Sequence, residues 1–157
     1  MKAVVDTSVL ISLGKLGFLG LIREMFDSIV VAKSVFEEVR DSEVAEKVNG
    51  LIEAGEGDVV ESSNKGLLDA FSSSLGKGEA ETIALALEFK TSIALLDDLR
   101  ARKTARRLGI EVMGTLGVLK VLSEMGLVSD KPEDLCRKLT EQGFWIDGKL
   151  CMRILKE

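Results

Sequence analysis

The chain has 157 residues, of which 46% are hydrophobic but only 4% aromatic, so aliphatic side chains must fill the core of a single domain. It contains no histidine, which excludes a Ser-His triad, histidine general-base catalysis and histidine-ligated zinc. A net charge of −5 argues against nucleic acid coating the whole surface and leaves room for a local basic patch.

In chain order, Val4–Val5 reads as a short buried strand that stops at Asp6. Residues 8 to 14 open a helix with Leu10, Ile11 and Leu13 inward. Leu16, Leu19, Leu21, Ile22 and Met25 recur at helical spacing. Residues 28 to 31 form a second strand, and Lys33 starts a helix whose apolar spacing continues past Arg40 through Val44 and Val48 to Ile52. After the turn Gly55-Glu56-Gly57 comes an edge strand at Val59-Val60, then a short helix from Leu67 to Leu75. Beyond Gly76-Lys77-Gly78, residues 79 to 89 form an Ala-, Leu- and Glu-rich helix. A buried strand over 92 to 96 runs into Asp97-Asp98, and a helix from Leu99 to Leu108 ends at Gly109. A strand over 110 to 113 precedes Gly114-Thr115-Leu116-Gly117 and a helix from Val118 to Met125. Pro132 opens a further helix that stops at Gly143, and a last helix covers 147 to 156. Strands alternating with helices predict an α/β fold with a mostly parallel sheet flanked by helices. Residues 1–125 form the domain, and 126–157 a helical extension packed on it.

Cys136 and Cys151 lie outside any CxxC motif and read as buried or free thiols of a reducing, cytoplasmic compartment. No apolar run approaches the roughly 20 residues of a membrane span.

The acids are the informative residues. Asp6 and Asp97 end strands, and in an open parallel sheet the carboxyl ends of strands are where sites form. Glu79 and Glu81 occupy the first turn of a helix that can begin at the same edge, and Glu37-Glu38 follow the second strand. Each has a plainer role available. Asp6 and Asp98 can cap helices, Glu79 and Glu81 can complement a helix dipole, and Glu37-Glu38 can face solvent. Helical geometry favours Glu79, on the side of Ile83 and Ala86, and leaves Glu81 as a neighbour or surface residue. It favours Glu38, which shares a face with Val35, over Glu37. Several carboxylates in one cleft repel unless a hard cation compensates, and an all-oxygen set suits Mg²⁺ or Mn²⁺.

Asp6-Thr7-Ser8, Val35-Phe36-Glu37-Glu38-Val39, Gly78-Glu79-Ala80-Glu81-Thr82-Ile83-Ala84-Leu85-Ala86 and Leu95-Leu96-Asp97-Asp98, in this order, resemble PIN-domain nucleases. Arg102-Lys103-Thr104-Ala105 and Gly109-Ile110 through Gly117 resemble a VapC-like, largely prokaryotic branch. The resemblance spans residues 1 to about 125. It implies a metal-dependent endoribonuclease, often the toxin of a toxin–antitoxin pair and commonly a homodimer. The family's four acids match Asp6, Glu38, Glu79 and Asp97, with Asp98 competing for the fourth place. Its small hydroxyl matches Thr7 or Ser8, which can orient a ligand or cap the helix. The third acid is commonly aspartate and is glutamate here.

That chemistry is hydrolysis of a phosphodiester, with the ion activating water and offsetting phosphate charge. Arg100, Arg102, Lys103, Arg106 and Arg107 crowd the helix after Asp97-Asp98 and can contact phosphates, or pair with nearby acids on a solvated face. Aromatic platforms for bases are scarce, so no sequence readout is expected. The run Phe144-Trp145-Ile146 either closes the core against the last helix or joins an interface. A non-catalytic module of the same fold, binding RNA or a protein, is the alternative.

Overall fold

Short strands rich in Val, Ile and Ala suit positions covered on both faces, and the computed structural model, which describes residues 1–157, buries the Val, Ile, Leu and Ala residues of the three central strands. The strands β1 (Lys2–Val5), β2 (Ser28–Ala32), β3 (Gly57–Val60), β4 (Ser92–Leu95) and β5 (Glu111–Met113) form one sheet in the order β3-β2-β1-β4-β5. Every pairing is parallel, with Val4 opposite both Val30 and Ala94, and Val5 opposite Leu95.

The chain leaves β1 toward β2 and β3, then returns to the other side of β1 for β4 and β5. The switch in direction therefore falls between β1 and β4, where the crossovers part and a crevice opens at the carboxyl ends. Asp6 and Asp97 follow these two strands.

Nine α-helices connect and flank the strands: α1 (Thr7–Leu16), α2 (Lys33–Val39), α3 (Glu43–Glu53), α4 (Lys65–Phe71), α5 (Lys77–Glu88), α6 (Leu99–Arg107), α7 (Thr115–Glu124), α8 (Pro132–Glu141) and α9 (Gly148–Lys156). Helix α5 lies across β1, β2 and β4 and also meets α2, α4 and α6. That position explains why Gly78 and every residue from Ala80 to Ala86 is buried. Leu10, Ile83, Leu95, Leu119 and Leu122 are sealed from solvent in one continuous core, each contributing roughly 1.5–3 kcal/mol by burial.

Three expectations change. The helix expected over 16 to 25 is a 3-10 helix, Leu19–Glu24, because Gly17 takes a left-handed conformation (φ 81°) and ends α1. The helix expected to run from Lys33 to Ile52 breaks between α2 and α3. Ser42 is extended there, its hydroxyl bonds back to the Val39 carbonyl at 2.6 Å, and Glu43 and Glu46 begin a new first turn.

The cysteines are not free thiols. Helix α9 packs against both α8 and α7, which brings the Cys136 and Cys151 Cα atoms to 6.1 Å, and the two are joined in a disulfide. In the loop between these helices, Phe144 and Ile146 pack on the core, whereas Trp145 is 98% exposed. No helix is long and apolar enough to cross a membrane.

Candidate active site

Asp6 is the innermost acid. Its backbone continues the sheet, with its N–H donating to the Leu95 carbonyl at 3.0 Å, and its own carbonyl starts α1 by accepting from Leu10 N–H. It occupies the N-cap position, yet its side chain makes no capping hydrogen bond. The residue is only 4% exposed. Burial pushes its carboxyl up to about 7, opposed by the Thr7 N–H dipole and reinforced by the charges of Glu79, Glu38 and Asp97. The acids chosen from sequence thus share one field at the carboxyl end of β1.

The hydroxyls after Asp6 orient the other acids instead of capping α1. Thr7 Oγ1 donates to Glu38 Oε2 at 3.0 Å, and Ser8 Oγ donates to Asp97 Oδ2 at 2.7 Å. Helix α2 brings Glu38 to this point through buried Val35 and Val39 on either side. Glu37 and Glu38 are both exposed, and only the Glu38 side chain is hydrogen-bonded. Gly78 of α5 is needed here, because a Cβ at that position would come 2.6 Å from Glu38 Oε1 and 3.1 Å from Val35.

Glu79, half-buried in the first turn of α5, accepts from the Gly76 N–H at 3.0 Å. Burial raises its pKa; the Gly76 N–H opposes this and the Asp98 and Glu38 charges add to it. Asp98 is therefore near the cleft, but its carboxylate caps α6 by accepting from Ala101 N–H at 2.9 Å. Between the paired acids after β4, Asp97 faces the cleft and Asp98 serves the helix.

Two residues carry more of the site's architecture than their sequence positions suggest. Thr115 holds Asp97 at both oxygens, through N–H to Oδ1 (2.8 Å) and Oγ1 to Oδ2 (2.7 Å). Its signal was its place just beyond β5, the neighbour of β4. Glu81 is not a surface neighbour. It is 5% exposed and accepts from Ser34 N–H (2.8 Å), Ser34 Oγ (2.7 Å) and Ser62 N–H (3.0 Å). It ties the start of α2 and the segment after β3 to α5. The side of α5 that looked polar is covered, as buried Leu85 beside it indicates.

The basic helix divides. Arg100, Lys103, Arg106 and Arg107 are exposed, whereas Arg102 is partly buried beside Asp97, and burial together with the Arg106 charge lowers its pKa. The donor set of the cleft is carboxylate and hydroxyl oxygen alone, which suits a hard divalent cation. As they stand, no three carboxylates converge closely enough to hold one between them; Glu38, Glu79 and Asp97 are each turned toward a protein donor.

A search of curated proteins gives no match. A family model does: residues 2–157 match DUF3368, a PIN domain. The matched span includes α8 and α9, which the motif resemblance did not reach. PIN domains are generally nucleases and typically use divalent metals. An all-parallel five-stranded sheet, a switch point between β1 and β4, and a family match across nearly the whole chain agree: this chain belongs to the PIN-domain family.

Proposed function

We propose that the chain is a divalent-metal-dependent endoribonuclease that hydrolyses RNA phosphodiester bonds. The observation that carries this reading is Asp6: a buried carboxylate whose charge is opposed by Glu79, Glu38 and Asp97 at the sheet's switch point. A fold does not keep a carboxylate buried beside three other acids for stability, and Mg²⁺ or Mn²⁺ would compensate both the burial and the repulsion. Asp6, Glu38, Glu79 and Asp97 would hold the cation, with Asp98 at the rim. When bound it supplies a Lewis acid at the phosphate and a lowered pKa for attacking water.

The chain's own residues do the rest. Thr7 Oγ1 orients Glu38, while Ser8 Oγ and Thr115 fix Asp97. Arg100, Lys103 and Arg106, exposed on α6, can contact the RNA backbone. The hydrogen bonds that turn Glu38 and Glu79 aside are single ones, worth roughly 1.5–3 kcal/mol each because the acceptors are carboxylates. Residues 126–157 act in this reading as an extension bracing α7. A homodimer, an antitoxin partner and a toxin role follow from the VapC-like resemblance.

The decisive assay incubates a mixed RNA pool with Mn²⁺, with and without EDTA, and compares wild type with Asp6→Asn. Cleavage by wild type alone, abolished by EDTA, is the expected result. Equal cleavage by both proteins, or none by either, sinks the enzyme reading. One observation favours the second reading, a non-catalytic RNA- or protein-binding module: no three acids converge as they stand. Such a module would bind no Mn²⁺ and would tolerate Asp6→Asn.

A further inference from the structure

Among the bases of α6, Arg102 is set apart. The helix buries Ala101 and Ala105, and Arg102, beside the first and one turn before the second, lies at the edge of that buried face. The guanidinium reaches Gly114 at the start of α7. A Cβ built on Gly114 would fall 2.7 Å from Arg102 Nη1 and 3.0 Å from Asp97 Oδ1. The cation and the fourth acid of the cleft thus border the space that a side chain at position 114 would fill.

They do not neutralise each other. Asp97 already accepts from Thr115 N–H, Thr115 Oγ1 and Ser8 Oγ, and Arg102 forms neither an ion pair nor a side-chain hydrogen bond. Its Nε is buried without an acceptor. Drawing a guanidinium partly out of water and leaving its Nε–H without an acceptor is costly. An exposed arginine one position further along the helix would avoid the cost. An oxygen anion arriving at this rim would meet a guanidinium committed to no other partner, and the planar fork suits a phosphate.

We propose that Arg102 is the phosphate-binding residue of the cleft, its terminal nitrogens contacting the RNA phosphodiester presented to the acids, while the exposed bases of α6 contact the strand outside. Gly114 is a positioning residue that leaves room for the fork. Its backbone (φ −98°, ψ 179°) is open to any residue, so alanine there displaces Arg102 without backbone strain. The assignment rests on the ribonuclease reading for its substrate but not for its test, which measures binding and cleavage separately.

The test compares wild type, Arg102→Gln, Arg102→Lys and Gly114→Ala. It reads binding of a labelled single-stranded RNA in Ca²⁺ by fluorescence anisotropy, cleavage of the same RNA in Mn²⁺, and the Mn²⁺-induced rise in Tm. Arg102→Gln is expected to weaken binding about 10- to 100-fold and to slow cleavage at least as much, with the Mn²⁺-induced rise preserved. Arg102→Lys recovers only part of the loss, and Gly114→Ala moves in the same direction as Arg102→Gln. Binding and cleavage by Arg102→Gln within threefold of wild type would overturn the assignment. So would loss of the Mn²⁺-induced rise, which would make Arg102 a support for Asp97. Wild type that binds RNA but never cleaves it refutes the hydrolase reading alone, and the binding comparison still decides Arg102. Wild type that neither binds nor cleaves RNA refutes both.

Discussion

Thr115 holds Asp97 from two sides, its N–H on Oδ1 at 2.8 Å and its hydroxyl on Oδ2 at 2.7 Å. The contact joins the end of β4 to the start of α7 and fixes the carboxylate on the β4 side of the switch point. Thr115→Val keeps the shape and the N–H but removes the hydroxyl. It should cost about 1 kcal/mol of stability, because Ser8 still serves the same oxygen. Partners of this kind orient ligands, so Mn²⁺ affinity should fall about tenfold. Urea unfolding and Mn²⁺ titration of the variant check both values.

Asp6 makes metal-free stability depend on pH in a direction opposite to most acids. Its carboxyl titrates near 3.8 when unfolded and at about 7 when folded, so between these values only the folded state holds the proton. Stability is fully present below pH 4 and is lost as pH rises to about 7, by an amount on the order of 4 kcal/mol. In thermal melts, Asp6→Asn should therefore raise the Tm of metal-free protein at pH 8 and have little effect at pH 4. Added Mn²⁺ should raise the wild-type Tm more at pH 8 than at pH 5. A wild-type Tm that climbs steadily from pH 4 to 8 without metal would count against the raised Asp6 pKa.

Glu81 binds three donors from two segments, and it is the buried acid whose role is structural. Glu81→Ala strands the Ser34 and Ser62 N–H groups in the interior and should destabilise the protein by about 3 kcal/mol. Glu37→Ala, on an exposed face, should stay within about 0.5 kcal/mol. Denaturant midpoints separate the two.

The disulfide between Cys136 and Cys151 closes a segment with a sequence separation of 15 and pins α9 to α8. A loop of that size contributes about 3 kcal/mol. Reduction, or the double change to serine, should lower Tm. Cleavage activity should remain, because neither cysteine belongs to the acidic cleft. Melts with and without dithiothreitol, run beside the RNA assay, test this.

Which of these features could be read from the chain follows from how local their causes are. A strand that stops at an acid announces itself in a few residues, so Asp6 and Asp97 were visible, and alternation of strands and helices implied the parallel sheet. Glu38 over Glu37 followed from helical phase alone. Glu81 was misread because phase cannot tell a polar face from a covered one. What buries Glu81 are Ser34 and Ser62, 47 and 19 residues away. Thr115 meets Asp97, and Gly114 comes to lie beside Arg102, only once β5 pairs with β4. The break at Ser42 did have a local sign, a serine before Glu43 at a helix start, but the apolar spacing of Val44 and Val48 outweighed it. The disulfide depends on how two helices pair, which spacing alone does not specify.

The most direct test of the acidic cleft is calorimetric titration of metal-free protein with Mn²⁺ at pH 7.5, for wild type and Asp6→Asn. Saturable binding by wild type, lost in a variant that still melts cooperatively, is the predicted result. No binding by wild type, or equal binding by both, would contradict the account.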